Sequence, residues 1–253
     1  MSEDFSEAKE SFDNDGFAVI RNFLSPDETE DVQANVARYI AEIVPRIPRE
    51  HAFYEDKDDP ETLKQLPRME EYDDYFESLL HGSKFERLSE VLLDGPVLGR
   101  NLQYLRKPAR VGLPTPPHQD GYYFNVTPCE GLTAWFSLGH ADEENGCLRY
   151  IRGSHKKGLR PHARTQTLGF SQGITDFGQP DDLENEVAFT AGPGDLLVHH
   201  AVTVHRADDN PSETRDRPAI GFVYLSERAK EDREAVEAYR KKLAEDLASQ
   251  GKI

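Results

Sequence analysis

The feature that most narrows the fold of this chain is a change of texture near residue 96. From there to about residue 225, short apolar or alternating runs are separated by Gly, Pro, Asn and Asp. VLGRNLQYLRK, LTAWFSL, CLRYIR, DLLVHH, VTVH and AIGFVYL read as strands. Many short strands with turn signals between them predict a sandwich or a barrel. The N-terminal part has a different rhythm. EAKESFDNDG is a short amphipathic helical stretch closed by Gly16, and FAVIRNF is a brief strand. Ser25-Pro26-Asp27-Glu28 starts a helix, with Ser25 as N-cap, Pro26 in the first position and acidic residues in the first turn. Val32, Val36, Tyr39, Ile40 and Ile43 continue it at helical spacing.

Residues 46–62 read as a loop, and 70–93 as two helices broken at Gly82-Ser83. Residues 226–250 read as a charged helix with opposite-charge pairs such as Glu237–Lys241. No repeat, low-complexity tract or long linker interrupts this order. The expectation is one α+β domain over 1–253, mainly β at its core. Residues 1–95 form mostly helical support, 96–225 the β-core with the functional site, and 226–253 a C-terminal helix. The Gly-rich, aperiodic stretch 155–185 reads as a functional loop.

Charge removes whole classes of partner. Forty-seven acidic residues against 30 basic ones give a net charge of −17. Nucleic acid and anionic membrane surfaces both require a basic footprint, so neither is expected as a partner. The plain reading is a solvated acidic surface; the sharper one is adaptation to high salt. The longest apolar runs are too short to cross a bilayer. The polar, acidic MSEDFSEAKE has no signal or transit pattern, and Cys129 and Cys147 are too few for a disulfide framework. A cytoplasmic location is the resulting expectation, with oligomeric state left open.

The chemistry concentrates in PPHQDGYYF at 116–124. On a strand, residues i and i+2 share a face, so His118 and Asp120 would converge on one point. That is two-thirds of the 2-His-1-carboxylate arrangement of non-haem Fe(II) oxygenases, which leaves positions open for a co-substrate and O₂. Alone, such spacing is as compatible with a surface turn. A third ligand must come from GDLLVHHAVTVHRADDNPSETRDRPAIGFVY, which offers His199, His200 and His205. Alternation lets only one of His199 and His200 face inward. His205 closes a run just before a polar turn and is favoured. Arg217, twelve residues on, could bind a dicarboxylate end with its forked guanidinium, with Arg215 as competitor.

Together these segments resemble the phytanoyl-CoA dioxygenase family of Fe(II)/2-oxoglutarate-dependent oxygenases. FDNDGFAVIRNFLSPDE is similar to the family's opening, QYLRKPARVGLPTPPHQDGYYF to its iron segment, NGCLRYIRGSHKKG to its Asn-Gly and Gly-Ser-His block, and HRADDNPSETRDR to its distal-histidine segment. The resemblance implies a double-stranded β-helix, a jelly-roll or cupin-like barrel. It implies His118, Asp120 and His205 as iron ligands and catalytic centre, and Arg217 on the distal carboxylate of 2-oxoglutarate. Gln103 and Trp135 would line the co-substrate pocket, with Lys64 a further contact. Tyr122, Tyr104 and Phe136 are taken as substrate-pocket residues.

The implied reaction consumes 2-oxoglutarate and O₂, releases succinate and CO₂, and oxidises a small molecule. Halogenating relatives carry a small residue in place of the carboxylate, so Asp120 points to hydroxylation. Two departures stand out: the interval from His205 to Arg217 is one residue longer than the family pattern, and Ala207 occupies a position where the family has Ser. The first keeps Arg215 in contention. The rival expectations are a cupin-like metal protein without oxygenase activity, such as an isomerase, and a 2-oxoglutarate-binding sensor.

Overall fold

The computed structural model describes residues 4–165, 172–231 and 241. Six α-helices are described: α1 (Ser6–Asp15), α2 (Pro26–Glu42), α3 (Asp74–Leu80), α4 (Lys84–Leu92), α5 (Gly121–Phe124) and α6 (Pro180–Asn185). The strands are β1 (Phe17–Ile20), β2 (Phe53–Tyr54), β3 (Leu63–Leu66), β4 (Val97–Lys107), β5 (Thr115–His118), β6 (Val126–Thr127), β7 (Gly131–Ser137), β8 (Leu148–Ile151), β9 (His162–Arg164), β10 (Gln172–Ile174), β11 (Glu186–Phe189), β12 (Leu196–His200), β13 (His205–Ala207), β14 (Arg217–Ser226) and β15 (Lys230–Glu231).

Local signals set the helix ends. α1 stops where Gly16 takes φ 88° and returns its N–H to the Phe12 carbonyl at 2.9 Å. α2 opens with a capping box, Ser25 and Glu28 each satisfying the other's backbone N–H. Asp73 and Ser83 cap α3 and α4, so the break read at Gly82-Ser83 is a new helix start.

The strands form two principal sheets, a seven-stranded one ordered β1-β12-β7-β14-β4-β3-β2 and a four-stranded one ordered β11-β8-β13-β5. All their pairings are antiparallel. This is the jelly-roll core that the resemblance implied, and it fits the sandwich or barrel read from the strand-rich middle. The large sheet is covered on both faces, which is why β7 is buried at every position and reads as a continuous apolar run. One face packs on the helices: Phe85 of α4 stacks on Phe222 at 4.0 Å and meets Phe136 edge-on at 5.5 Å. The other face looks toward the small sheet, with Trp135, Leu197 and Ala219 packed on Leu148, Tyr150 and Ala207. The functional site lies in that inter-sheet space.

Several expectations are revised. Beyond β1, which FAVIRNF indicated, the segment before residue 96 supplies two further strands of the large sheet, β2 and β3. Val202–Val204 is not strand; β13 begins at His205, so this histidine opens a strand instead of closing one. Part of 155–185 is ordered as β9, β10 and α6, and 166–171 lies outside the described residues. The expected C-terminal helix from 226 is replaced at its start by the end of β14 and by β15, which pairs with β6. The rest of that helix, with the Glu237–Lys241 pair, lies outside the described residues apart from Lys241. No helix among the described residues is long and apolar enough to cross a membrane.

Candidate functional site

The register of the small sheet makes the site. β13 and β5 run antiparallel with His205 directly opposite His118, and the two rings lie 4.1 Å apart, centroid to centroid. Cross-strand neighbours at this separation can share a ligand. Asp120 arrives by another route. It lies beyond the end of β5 with helical backbone angles (φ −59°, ψ −33°), leading into α5. A turn, not strand alternation, brings its carboxylate round. Ligand atoms of His118, Asp120 and His205 all lie within 4.8 Å of one another. Asp120 Oδ1 is 3.4 Å from His118 Nε2 and 3.7 Å from His205 Nε2.

Each histidine is oriented from behind. His118 Nδ1 meets the Pro116 carbonyl at 2.8 Å, and His205 Nδ1 meets the Thr203 carbonyl at 3.0 Å. A carbonyl only accepts, so Nδ1 carries the proton in both rings and each Nε2 presents its lone pair to the shared point. Burial, with His118 and His199 nearby, holds the His205 imidazolium well below its ordinary range. Burial alone would raise the Asp120 carboxyl, but the surrounding imidazoles of His205, His118 and His199 outweigh it and hold the carboxylate ionised. Two neutral imidazoles and one carboxylate, crowded together, are the donor set a borderline divalent ion such as Fe(II) takes.

The remaining oxygen of Asp120 is also engaged. Thr133 donates its hydroxyl to Oδ2 at 2.5 Å, and His199 Nε2 lies 3.0 Å from the same atom. Tyr150, fully buried, places its hydroxyl 3.0 Å from His199 Nδ1. His200 faces the opposite way, against Phe12 of α1, as alternation requires. Gln119, between His118 and Asp120, is buried and bonds the Gly158 and Val202 carbonyls and the Arg160 N–H. It ties the ligand segment to the loops on either side.

The pocket opening from these ligands is lined by Gln103, Trp135, Lys64, Lys107, Glu55 and Arg217, among others. Arg217 is buried with Nε and Nη1 lacking any hydrogen-bond partner among the described residues. Its guanidinium lies over the Trp135 ring at 5.2 Å. Burial pushes its pKa down to about 10, which leaves it charged at neutral pH. Arg217 pairs in register with Lys107 across β14 and β4, and like charges in that relation destabilise a sheet. Lys64 has an acid partner, Glu55 at 3.0 Å. Burial, then the charges of Arg217 and Lys64, pulls Lys107 down to about 6. An orphaned buried guanidinium is a surface made for an anion, and a dicarboxylate fits it.

The other expected site residues divide clearly. Arg215 is held outside the pocket by Asp142 at 2.7 and 2.9 Å and Glu144 at 2.6 Å. Tyr104 and Phe136 are not in the pocket: they lie in the helix-side core, on the far face of the large sheet from Gln103 and Trp135. Tyr122 is partly exposed on α5 and stacks on His162 at 4.3 Å. His155 packs beside His200 with Nε2 3.2 Å from the Asp13 carbonyl. Asn210 holds the turn before β14 through the Lys107 and Arg215 carbonyls.

Four residues around the site were not foreseen: Thr133, His199 as a partner of Asp120, Lys107 and Glu55. Thr133 and His199 were within reach of the alternation rule, because each stands two residues from a side chain pointing between the sheets, Trp135 and Leu197. Lys107 was likewise within reach, four residues along β4 from Gln103 and on the same face; Glu55 had no such signal.

The chain is similar to proteins of known family. The family model for phytanoyl-CoA dioxygenase matches residues 12–219. A probable alpha-ketoglutarate-dependent hypophosphite dioxygenase of Stutzerimonas stutzeri is 27% identical over 218 residues, covering 84% of this chain and 76% of that protein. The peroxisomal phytanoyl-CoA dioxygenase of Mus musculus is 27% identical over 227 residues, covering 82% of this chain and 64% of that enzyme. Among solved structures, EvdO2 from Micromonospora carbonacea var. aurantiaca, complexed with 2-oxoglutarate, superposes with a TM-score of 0.72 at 26% identity, covering 92% and 94% of the two chains.

Proposed function

The chain belongs to the phytanoyl-CoA dioxygenase family of Fe(II)- and 2-oxoglutarate-dependent oxygenases, and on that premise we propose that it hydroxylates a small molecule other than a CoA thioester, with His118, Asp120 and His205 holding the metal. The observation that carries this reading is the convergence of that triad on a pocket whose buried Arg217 has two N–H groups without partners. Bound there, Fe(II) supplies the oxidation of a C–H bond while 2-oxoglutarate and O₂ are consumed and succinate and CO₂ released.

The chain's own residues position and shield. Arg217 binds the distal carboxylate of 2-oxoglutarate, with Lys64 nearby, Lys107 taking up a proton as the dianion binds, and Gln103 and Trp135 forming walls. Asp120 is a carboxylate where halogenating relatives carry a small residue, and it would serve as a metal ligand, which favours hydroxylation over halogenation. The single domain over 1–253 belongs to the same proposal.

The substrate reading rests on how the basic residues of the 149–157 segment, outside the pocket lining, are used. Arg149 is paired with Asp208 at 2.8 Å and Glu186 at 3.5 Å, Arg152 with Asp15, and Lys157 with Asp181. With a net charge of −17 around them, they make a poor receptor for the phosphates of coenzyme A. The test is anaerobic loading with Fe(II) and 2-oxoglutarate, then exposure to isotopically labelled O₂ with panels of acyl-CoA thioesters, amino acids and neutral metabolites. Succinate formation coupled to one labelled oxygen in a non-CoA product is expected. Preference for a CoA thioester overturns the substrate reading, a chlorinated product overturns hydroxylation, and failure of Arg217→Met to weaken 2-oxoglutarate binding overturns the pocket assignment.

A further inference from the structure

We propose that His199 is a positioning residue that fixes Asp120 as a one-oxygen ligand, with the buried Tyr150 setting the tautomer that lets it do so. The inference rests on reading His118, Asp120 and His205 as a metal centre and concerns a residue outside that set.

Asp120 is the ligand that most needs restraint. It sits past the end of β5, and its two oxygens are chemically equivalent. The structure makes them inequivalent. Oδ1 faces the Nε2 atoms of His118 and His205 at 3.4 and 3.7 Å. Oδ2 faces away from them into two donors, the Thr133 hydroxyl at 2.5 Å and His199 Nε2 at 3.0 Å. A carboxylate with one oxygen saturated by donors presents only the other to a cation. That keeps it from chelating and leaves a coordination position open for co-substrate or O₂.

The chain of donors runs in one direction. Tyr150 is fully buried and meets His199 Nδ1 at 3.0 Å. On the other side of the ring, Asp120 Oδ2 is a carboxylate oxygen that only accepts, so at 3.0 Å it takes its hydrogen from His199 Nε2, and the Tyr150 hydroxyl is left to donate to Nδ1. His199 Nδ1 therefore accepts, Nε2 carries the ring hydrogen, and that hydrogen points at Asp120. Both partners come from packing. His199 faces inward because Leu197 does, and Tyr150 is the cross-strand neighbour of His205 in the small sheet.

This arrangement also separates His199 from the ligands themselves. Its ring is only 4.1 Å from that of His205, close enough to compete for the ion. An Nε2 that carries hydrogen has no lone pair to give, so the Tyr150 hydroxyl keeps His199 out of the coordination set.

The test uses the full chain stripped of metal, with Mn(II) binding followed by loss of the free-ion EPR signal. The variants are His199→Phe, which keeps a ring and removes the donor; His199→Gln, which places an amide donor at the same reach; and Tyr150→Phe, which removes the group that sets the tautomer. The Co(II) forms are compared by visible absorption. Phe at 199 should weaken Mn(II) binding about 10- to 100-fold and alter the Co(II) spectrum as Asp120 chelates. Gln should recover most of the affinity and the wild-type spectrum, and Tyr150→Phe should fall between them.

Near-UV circular dichroism reports folding; if the Phe variant does not fold, Gln and Tyr150→Phe still decide the matter. Wild-type affinity and spectrum in the Phe variant, or a folded Gln variant as impaired as Phe, overturns the role of His199. If Tyr150→Phe binds as wild type, the tautomer argument fails. Loss of all Mn(II) binding in folded Phe and Gln variants alike would make His199 a ligand. No Mn(II) uptake by the wild-type chain overturns the metal-centre reading itself.

Discussion

Arg215 and Arg217 stand two residues apart and have opposite surroundings. Arg215 is satisfied by two acidic side chains at the surface, whereas Arg217 is buried and unsatisfied. Substituting Met at 217 should therefore weaken 2-oxoglutarate binding by roughly 2–5 kcal/mol, the range for truncating one member of a buried charge pair. Met at 215 should change it less than about threefold, since Arg215 is held outside the pocket by Asp142 and Glu144. Calorimetric titration separates the two, and equal losses would undo the assignment.

Lys107 adds a pH dependence. Its ammonium is depressed to about 6 by burial and then by Arg217 and Lys64, with Glu55 and Asp209 opposing. Between about 6 and its ordinary 10.5, the folded protein binds fewer protons at this site than the unfolded chain, so the co-substrate-free protein gains stability as pH rises. A bound dianion favours the ammonium, so affinity is full where Lys107 is protonated and is lost as pH rises through its pKa in the complex. The dissociation constant for 2-oxoglutarate should weaken up to about tenfold, one pK unit, from about pH 6.5 to 8.5. Lys107→Met should flatten that slope; a flat wild-type profile counts against it.

At the level of elements, the joint between α1 and β1 supports the site from the side. Gly16 carries φ 88°, and a Cβ there would meet His155 Nδ1 at 2.4 Å and Thr203 Oγ1 at 2.6 Å. Its carbonyl accepts from His200 N–H and the Thr203 hydroxyl, which fixes the turn before His205. Gly16→Ala should cost roughly 1–3 kcal/mol in unfolding free energy and loosen metal binding as well; denaturant melts with and without Mn(II) measure both. Phe85 is the corresponding anchor on the helix side. Phe85→Ala should cost about 3–5 kcal/mol while leaving 2-oxoglutarate affinity in the surviving folded fraction close to wild type, because the pocket opens on the other face of the sheet. Caps, breaks and most strands were legible because each depends on neighbours in sequence. Asp120 was placed on a strand although Asp120-Gly121 is a local turn signal, and it marks the point at which β5 gives way to the α5 turn.

At the scale of the whole molecule, a charge of −17 repels itself. Surface pairs such as Lys9–Asp13 and Arg228–Glu130 return little individually. Raising ionic strength from about 10 mM to 150 mM shortens the screening length from about 30 to 8 Å, so the melting temperature should rise by a few degrees; a flat or falling curve in scanning calorimetry would show that ion pairing outweighs repulsion. The sequence by itself determined the donor types, the strand-rich core and the family, because ordered blocks and local periodicity survive without knowledge of contacts. It could not decide between Arg215 and Arg217 or show that Tyr104 and Phe136 face the helices. Nor could it turn His199 from a rival ligand into a partner of Asp120. Those outcomes follow from register: pairing His205 with His118 and Arg217 with Lys107 brings together residues about 90 and 110 positions apart, a contact that strand geometry sets and no local pattern encodes.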